Sequence, residues 1–267
     1  MPFLTVLTRD HDVLDAVEVG SREPLRMARV STWERLSEKV KERPITGLVL
    51  DSQLLPEVPD PVDAVRDLTD RFPSVWSVLV TRPGADPRML LELGRAGLQS
   101  LIATHLDDLF QGVADGLRRG VRRGTDSLVT QAVSPYLPPE LVRAVHLAMV
   151  GSVMGWGADD LAAHAGYSRA HLSVLFRERG FPSTGHLLAW ARLLHAGRWL
   201  EDYGRTAESI SRQLDYSSGA AFRRLLRNYT GLTPTQVRRG GGLRLVLDMF
   251  LHDCGQHLPQ SVEREVA

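Results

Sequence analysis

"YSSGAAFRRLLRNYTGLTPTQVRR", residues 216–239, opens on small residues, passes through three arginines and breaks at Gly-Leu-Thr-Pro. At about 100° per residue, Phe222, Leu225, Leu226 and Tyr229 fall at i, i+3, i+4 and i+7 and form one apolar face. Arg223, Arg224 and Arg227 lie nearly opposite, and Ala220 points the same way. Such a helix buries one side and holds out cations on the other, where small residues at its start allow close approach to a groove. Ser217 or Ser218 is the expected N-cap, its hydroxyl accepting from a free backbone N–H of the first turn. Just before it, "TAESISRQLDY" supplies a shorter helix with Ile210 and Leu214 inward, giving a helix-turn-helix outline.

The outline occurs twice. In "ADDLAAHAGYSRAHLSVLFRERG" (158–180), Leu161, Ala162 and Ala165 point inward, Gly166 makes the turn and Ser168 caps a second helix. On that helix Leu172, Leu175 and Phe176 share one face, while Ala170, Ser173, Val174 and Arg177 project from the other. Each motif is too small to be stable alone. The helical stretch "TGHLLAWARLLHAGRWLED" (184–202) lies between them and would tie them together, and "ELVRAVHLAMVGSV" from Glu140 adds an amphipathic helix in front.

Residues 140–240 resemble the DNA-binding domain of the AraC/XylS transcription regulators. The resemblance is carried by "LAAHAGYSRAHLSVLF", "RLLHAGRWL" and "YSSGAAFRRLLRNYTGLTPTQVRR", above all by the Gly231-Leu232-Thr233-Pro234 turn followed by Arg238-Arg239. It implies base reading from Ala170, Ser173 and Val174 in the first motif and from Gly219, Ala220, Arg223 and Arg224 in the second, with Ser218 also at the DNA. Phosphate contacts are expected from Arg169, Arg177, Arg227 and Arg238 and from the N-terminal amides of both recognition helices. Two departures stand out. Val174 replaces the long polar residue common there; valine cannot donate to guanine, although it can touch a thymine methyl. Asp215 replaces a glycine common before the second turn, and aspartate tolerates left-handed backbone. The second motif is therefore expected to carry most base specificity. Two recognition helices about 34 Å apart would enter successive major grooves.

Charge is divided along the chain to match. Residues 1–117 hold 13 basic and 19 acidic side chains, residues 118–242 hold 17 and 9, and residues 243–267 hold 2 and 4, so the zero net charge hides an acidic half and a basic one. All 17 cations of the middle stretch are arginine, whose planar fork suits phosphates and guanine edges. No run of about 18 uncharged apolar residues and no signal-like N-terminus occurs, and the single Cys254 has no internal partner, so a cytoplasmic protein without membrane contact is expected.

The first half alternates differently. Strands are expected at 3–8, 24–30, 45–51, 74–81 and 98–104, with helices at about 10–19, 31–42, 60–71, 86–96 and 106–119. Five mostly apolar strands separated by helices predict an α/β doubly wound parallel sheet, here followed by an all-α double helix-turn-helix domain. Residues 3–120 resemble the response-regulator receiver domain. Asp51 ends the third strand, where receivers keep their phospho-acceptor, and Thr81 ends the fourth, where they keep a hydroxyl. The acidic pair that holds magnesium in receivers is matched by Thr8 and Arg9, with Asp10 and Asp12 late, and the lysine after the fifth strand is matched by Thr104-His105. The expectation is a pseudo-receiver serving homodimerisation or signal input from an effector, with Asp51 as a capping or loop aspartate; the alternative is phosphate acceptance on Asp51.

The expected domains are 1–120, a linker 121–138, a DNA-binding domain 139–240, and a C-terminal helix with a polar tail over 241–267. "LRRGVRRGTD" (117–126) reads as the end of a helix running into a basic linker. The apolar "LRLVLDMFLHDCGQH" (243–257) is expected to pack on its own domain, and His252, Cys254 and His257 read as helix-end residues, since their spacing is not that of a zinc site. No catalytic constellation, metal site or cofactor motif is identified. Double-stranded DNA is the partner the sequence predicts, for a transcription regulator and not an enzyme.

Overall fold

The computed structural model describes residues 3–20, 26–42, 47–104, 108–122 and 124–257. The first residues of the strands expected at 24–30 and 45–51, together with His105 and Arg123, lie outside these. Two compact units result: Met1–Gly124 with Asp202–Arg205, and Thr125–Glu201 with Thr206–Ala267.

The first unit is a parallel sheet of β1 (Phe3–Leu7), β2 (Arg26–Val30), β3 (Gly47–Asp51), β4 (Trp76–Thr81) and β5 (Ser100–Ala103), in the order β2-β1-β3-β4-β5. This is the doubly wound order in which the strand sequence reverses at β1 and β3. Period-two alternation decides which side chains meet which helices. Leu7, Leu48, Leu50 and Leu79 pack with Leu36 and Val40 of α2 (Trp33–Glu42), Val65 and Leu68 of α3 (Pro61–Arg71) and Leu93 of α4 (Pro87–Arg95). Leu4, Val6, Val49, Val78 and Val80 pack with Val13 and Val17 of α1 (His11–Gly20) and with Val113 and Leu117 of α5 (Leu109–Arg122). β3 and β4 are buried along their whole length, as their mostly apolar sequences lead one to expect, and Asp51, Ser77 and Thr81 are buried with them. A 3-10 turn over Ser52–Glu57, not anticipated from sequence, follows β3.

The second unit is wholly helical among its described residues: α6 (Thr125–Val133), α7 (Pro139–Ser152), α8 (Ala158–Ala165), α9 (Arg169–Glu178), α10 (Thr184–Leu200), α11 (Ala207–Gln213), α12 (Gly219–Thr230), α13 (Pro234–Arg239) and α14 (Leu243–His257). Its axis is α10, apolar nearly all round, with Leu187, Trp190, Leu193, Leu194 and Leu200 buried against α7, α13 and α14. A buried histidine ties α10 to α7: His195 Nε2 lies 3.0 Å from the Met149 carbonyl. Burial pushes the His195 pKa down, so the ring is neutral and donates this bond from Nε2.

The expected linker 121–138 is corrected by the structure. α5 runs on to Arg122, and α6 occupies Thr125–Val133 with Val129 and Val133 buried in the core of the second unit. Spaced four apart, those two valines make one helical stripe, which a reading guided by the neighbouring glycines and arginines passes over. The second unit thus begins before residue 139 and takes in α14, whose Val246, Phe250 and Cys254 are core residues. The long helix expected to reach 202 stops at Leu200.

Candidate nucleic-acid interface

The second motif is built by its caps. Thr206 Oγ1 accepts from Ser209 N–H at 3.1 Å to start α11, and Ser218 Oγ accepts from Ala221 N–H at 3.1 Å to start α12. Between them the chain turns through Asp215, the one described non-glycine residue with positive φ, at 56°. α12 ends on Gly231 at φ 70°, and Thr233 and Gln236 exchange reciprocal caps to start α13.

These caps aim α12. Phe222 and Leu226 are fully buried, while Tyr229 is half-buried and stacks on His186 with centroids 4.7 Å apart. Arg223, Arg224 and Arg227 are exposed, and Ala220 stands with them at the exposed start of the helix. Gly219 is buried. A Cβ there would meet Glu208 Oε2 at 2.0 Å and Arg223 Nη1 at 3.3 Å, so the carboxylate of α11 and the guanidinium of α12 converge on that α-carbon. Sequence patterning does not reveal Glu208, because nothing in its spacing separates it from an ordinary surface residue.

The first motif repeats the construction with different chemistry on its face. Gly166 ends α8 at φ 81°, and Ser168 Oγ accepts from His171 N–H at 3.2 Å to start α9. Leu172 and Phe176 are buried; Arg169, Ala170, Val174 and Arg177 are exposed, and Ser173, half-buried, donates its hydroxyl back to the Arg169 carbonyl at 2.8 Å. Val174, 41% exposed, is an apolar side chain standing in the open on the outer face of α9. Arg169 is also drawn toward Asp159, 3.3 Å away.

Arg238 stands apart from the other predicted phosphate contacts. It is half-buried, and its Nε donates to the Leu200 carbonyl at 2.6 Å, closing the last turn of α10 against α13. Its guanidinium therefore has a structural bond that the sequence did not announce.

Further residues tie the helices of the second unit together. Asp253 of α14 accepts from Trp190 Nε1 at 2.8 Å and lies 2.7 Å from His186 Nε2, joining α14 to α10. Tyr216, just before α12, is a partly buried phenol whose pKa burial raises to about 12, Arg192 opposing the shift. Burial also pushes the Cys254 thiol up, with Asp253 adding to the effect, so this cysteine is a core residue and not a nucleophile.

On the first unit, Asp51 sits at the end of β3 and is 1% exposed. Its Oδ1 accepts from Gln53 N–H at 3.0 Å, capping the 3-10 turn, and its Oδ2 accepts from the Thr8 hydroxyl at 2.7 Å. Asp10 caps α1 by accepting from Asp12 N–H at 2.8 Å and is ion-paired to Arg82. Arg9 is paired with Glu57 at 2.5 Å. Thr81, also buried, presents a hydroxyl without a hydrogen bond among the described residues. A magnesium site needs carboxylate and water oxygens converging on one point. Here each Asp51 oxygen accepts one hydrogen bond from the protein and Asp10 is paired with Arg82.

Against this geometry, a family model described as a helix-turn-helix domain matches residues 161–240. Residues 161–240 are an AraC-type helix-turn-helix domain. The AraC-type domain therefore spans both motifs and α10 between them. A curated relative, the "Probable transcription factor PqrA" of Proteus vulgaris, is 29% identical over 83 residues, 31% of this chain and 68% of its own length. Full-length FixJ from B. japonicum is similar in structure at TM-score 0.38 and 12% identity, covering 87% of this chain and 98% of that one. The BeF3-activated DrrB receiver domain is similar at TM-score 0.38 and 19% identity, covering 46% and 98%. No helix among the described residues is long and apolar enough to cross a membrane.

Proposed function

We propose that the protein is a sequence-specific, non-enzymatic regulator that lays α9 and α12 in successive major grooves of one DNA face. The single observation carrying this reading is the exposed triad Arg223, Arg224 and Arg227 on a helix whose opposite face, Phe222 and Leu226, is fully enclosed. Arg223 and Arg224, nearest the N-terminus, reach base edges, and Arg227, a turn later, meets a phosphate. α9, with Ala170, Ser173 and Val174, reads weakly and positions the protein through Arg169 and Arg177. Val174 supplies contact with a thymine methyl in place of a hydrogen bond. Arg238, bound to Leu200, braces α13 and contributes to DNA only what its remaining N–H groups can reach.

The test is a pair of substitutions measured on operator and random DNA across salt. Arg224→Ala should cost about 1–3 kcal/mol on the operator and relax preference at one base. Arg227→Ala should weaken all sequences alike and reduce the slope of log K against log salt by about 0.9. Equal effects of both on random DNA would refute the division.

The first unit serves, in this reading, as a pseudo-receiver for homodimerisation and signal input without phosphorylation. The capped, enclosed Asp51 supports it, as do three large apolar side chains left in the open: Leu91 of α4, Leu101 of β5 and Phe110 of α5 are 58%, 45% and 43% exposed. Incubation with acetyl phosphate and magnesium, followed by intact mass measurement, should give no labile adduct; an adduct on Asp51 would restore the phosphorylation-switched alternative.

A further inference from the structure

The four residues between α10 and α11, Asp202–Arg205, fold with the first unit. There, Ser74 donates its backbone N–H to Asp202 Oδ1 at 3.0 Å and its hydroxyl to Oδ2 at 2.7 Å. Arg205 Nε donates to Asp202 Oδ2 at 2.6 Å and Nη1 to the Val40 carbonyl at 3.0 Å, while the guanidinium carbon lies 5.1 Å from the centre of the Phe72 ring. Both charged side chains are completely enclosed. Gly204 presses on the same ring: a Cβ there would come within 2.5 Å of Phe72 Cζ, so any larger residue would have to displace the ring.

An enclosed ion pair is a costly way to fill space, because each charge gives up its hydration and regains it only if every partner is in place. What such a pair provides is an address: Asp202 needs the two donors of Ser74, and Arg205 needs a free helix-end carbonyl and an aromatic face. Val40 lies in the last turn of α2, Phe72 caps α3 and Ser74 precedes β4, so three separate connections of the sheet converge on one short segment. The residues on either side of the segment are themselves fixed in the second unit. Glu201 closes α10 and accepts from Leu243 N–H at 2.8 Å, and Thr206 opens α11, the first helix of the second motif.

We propose that Asp202–Arg205 is an intramolecular docking segment, recognised by a socket of Val40, Phe72 and Ser74, that passes the state of the first unit to the second reading motif. While the segment is docked, the chain entering the Thr206 cap is fixed and α11 starts from a set point. Release at the socket frees the cap, and α11 frays from its first turn. The inference goes beyond operator recognition, and its test needs no DNA, so the two readings fail separately.

Hydrogen exchange of the full chain, followed by mass spectrometry, tests it with Ser74→Ala. That substitution removes one donor to Asp202 from 128 residues away. A hydrogen bond to a charged group should speed local opening by about tenfold when lost. Amides of residues 204–210 are expected to exchange about tenfold faster, with β1, β3 and β4 unchanged. Val17→Ala, which thins the core on the α1 side of the sheet, is the control and should leave 204–210 no more affected than the rest. Unchanged exchange over 204–210 in Ser74→Ala would overturn the proposal. So would equal acceleration there in Val17→Ala, or acceleration spread evenly over the whole chain.

Discussion

Arg205→Met removes the cation from a pair whose side chains are both 0% exposed, and the cost is set by what it strands. Asp202 keeps the two donors of Ser74 but has no countercharge. Even in the intact pair, burial is the larger influence: it pushes the Asp202 carboxyl up and Arg205 down, against the pull of each on the other. Leaving one charge of such a pair alone costs about 3–5 kcal/mol, whereas replacing both by apolar groups is neutral or stabilising by about 1–4 kcal/mol. Arg205→Met should therefore be far less stable than wild type, and Asp202→Leu with Arg205→Met should recover most or all of the loss. The pH dependence has a definite sign. A carboxyl whose folded pKa is raised favours the folded state below the ordinary carboxylate value and loses that contribution as pH rises through the raised one. Removing Arg205 raises it further, so the Arg205→Met deficit should shrink as pH falls from 7 toward 5. Urea titrations of the three proteins at both pH values, with midpoints and slopes compared, measure this. A single variant as stable as the double one, or a deficit indifferent to pH, would refute the reasoning.

Asp215 at φ 56° pays a left-handed backbone cost that glycine avoids, so Asp215→Gly should raise stability by up to about 1 kcal/mol and Asp215→Ala should lower it, read from melting of the full chain. Phe250→Ala empties a fully buried site of α14 and should cost about 3–5 kcal/mol, abolishing DNA binding at physiological temperature although it touches no reading residue. Cys254, buried with its thiol pKa raised, should react with a disulfide reagent only as fast as the fold opens, without the acceleration between pH 7 and 9 that a free thiol shows.

The periodic parts of this chain are open to reading from sequence. The strand from Gly47 to Asp51 announces itself because each residue is apolar until the sheet rim, and α12 because its core face repeats at 3, 4 and 7 while its arginines do not share it. Caps are equally legible: Ser168, Ser218, Gly166 and Gly231 act through their own backbone neighbours, so local sequence contains the whole cause. What escapes is whatever depends on a partner far along the chain. Arg238 looks like any cation beside Arg239 until the end of α10 is placed beside it. Asp202 and Arg205 look like the charges of an ordinary loop, and their destination, Ser74 and Val40, lies 128 and 165 residues away. The helix α6 was hidden for a third reason, since its stripe is only two valines long and sits between glycines and prolines that suggest open chain.

The central claim is that α9 and α12 read one face of duplex DNA, with α12 as the main reader. Hydroxyl-radical footprinting of the full chain, on a site selected from random sequences, tests it most directly. The account predicts two protected stretches about 10 base pairs apart on one face, with the base preference concentrated in one of them and lost there in Arg223→Ala and Arg224→Ala. A selection that yields no common site, or a footprint unchanged by either substitution, would contradict it.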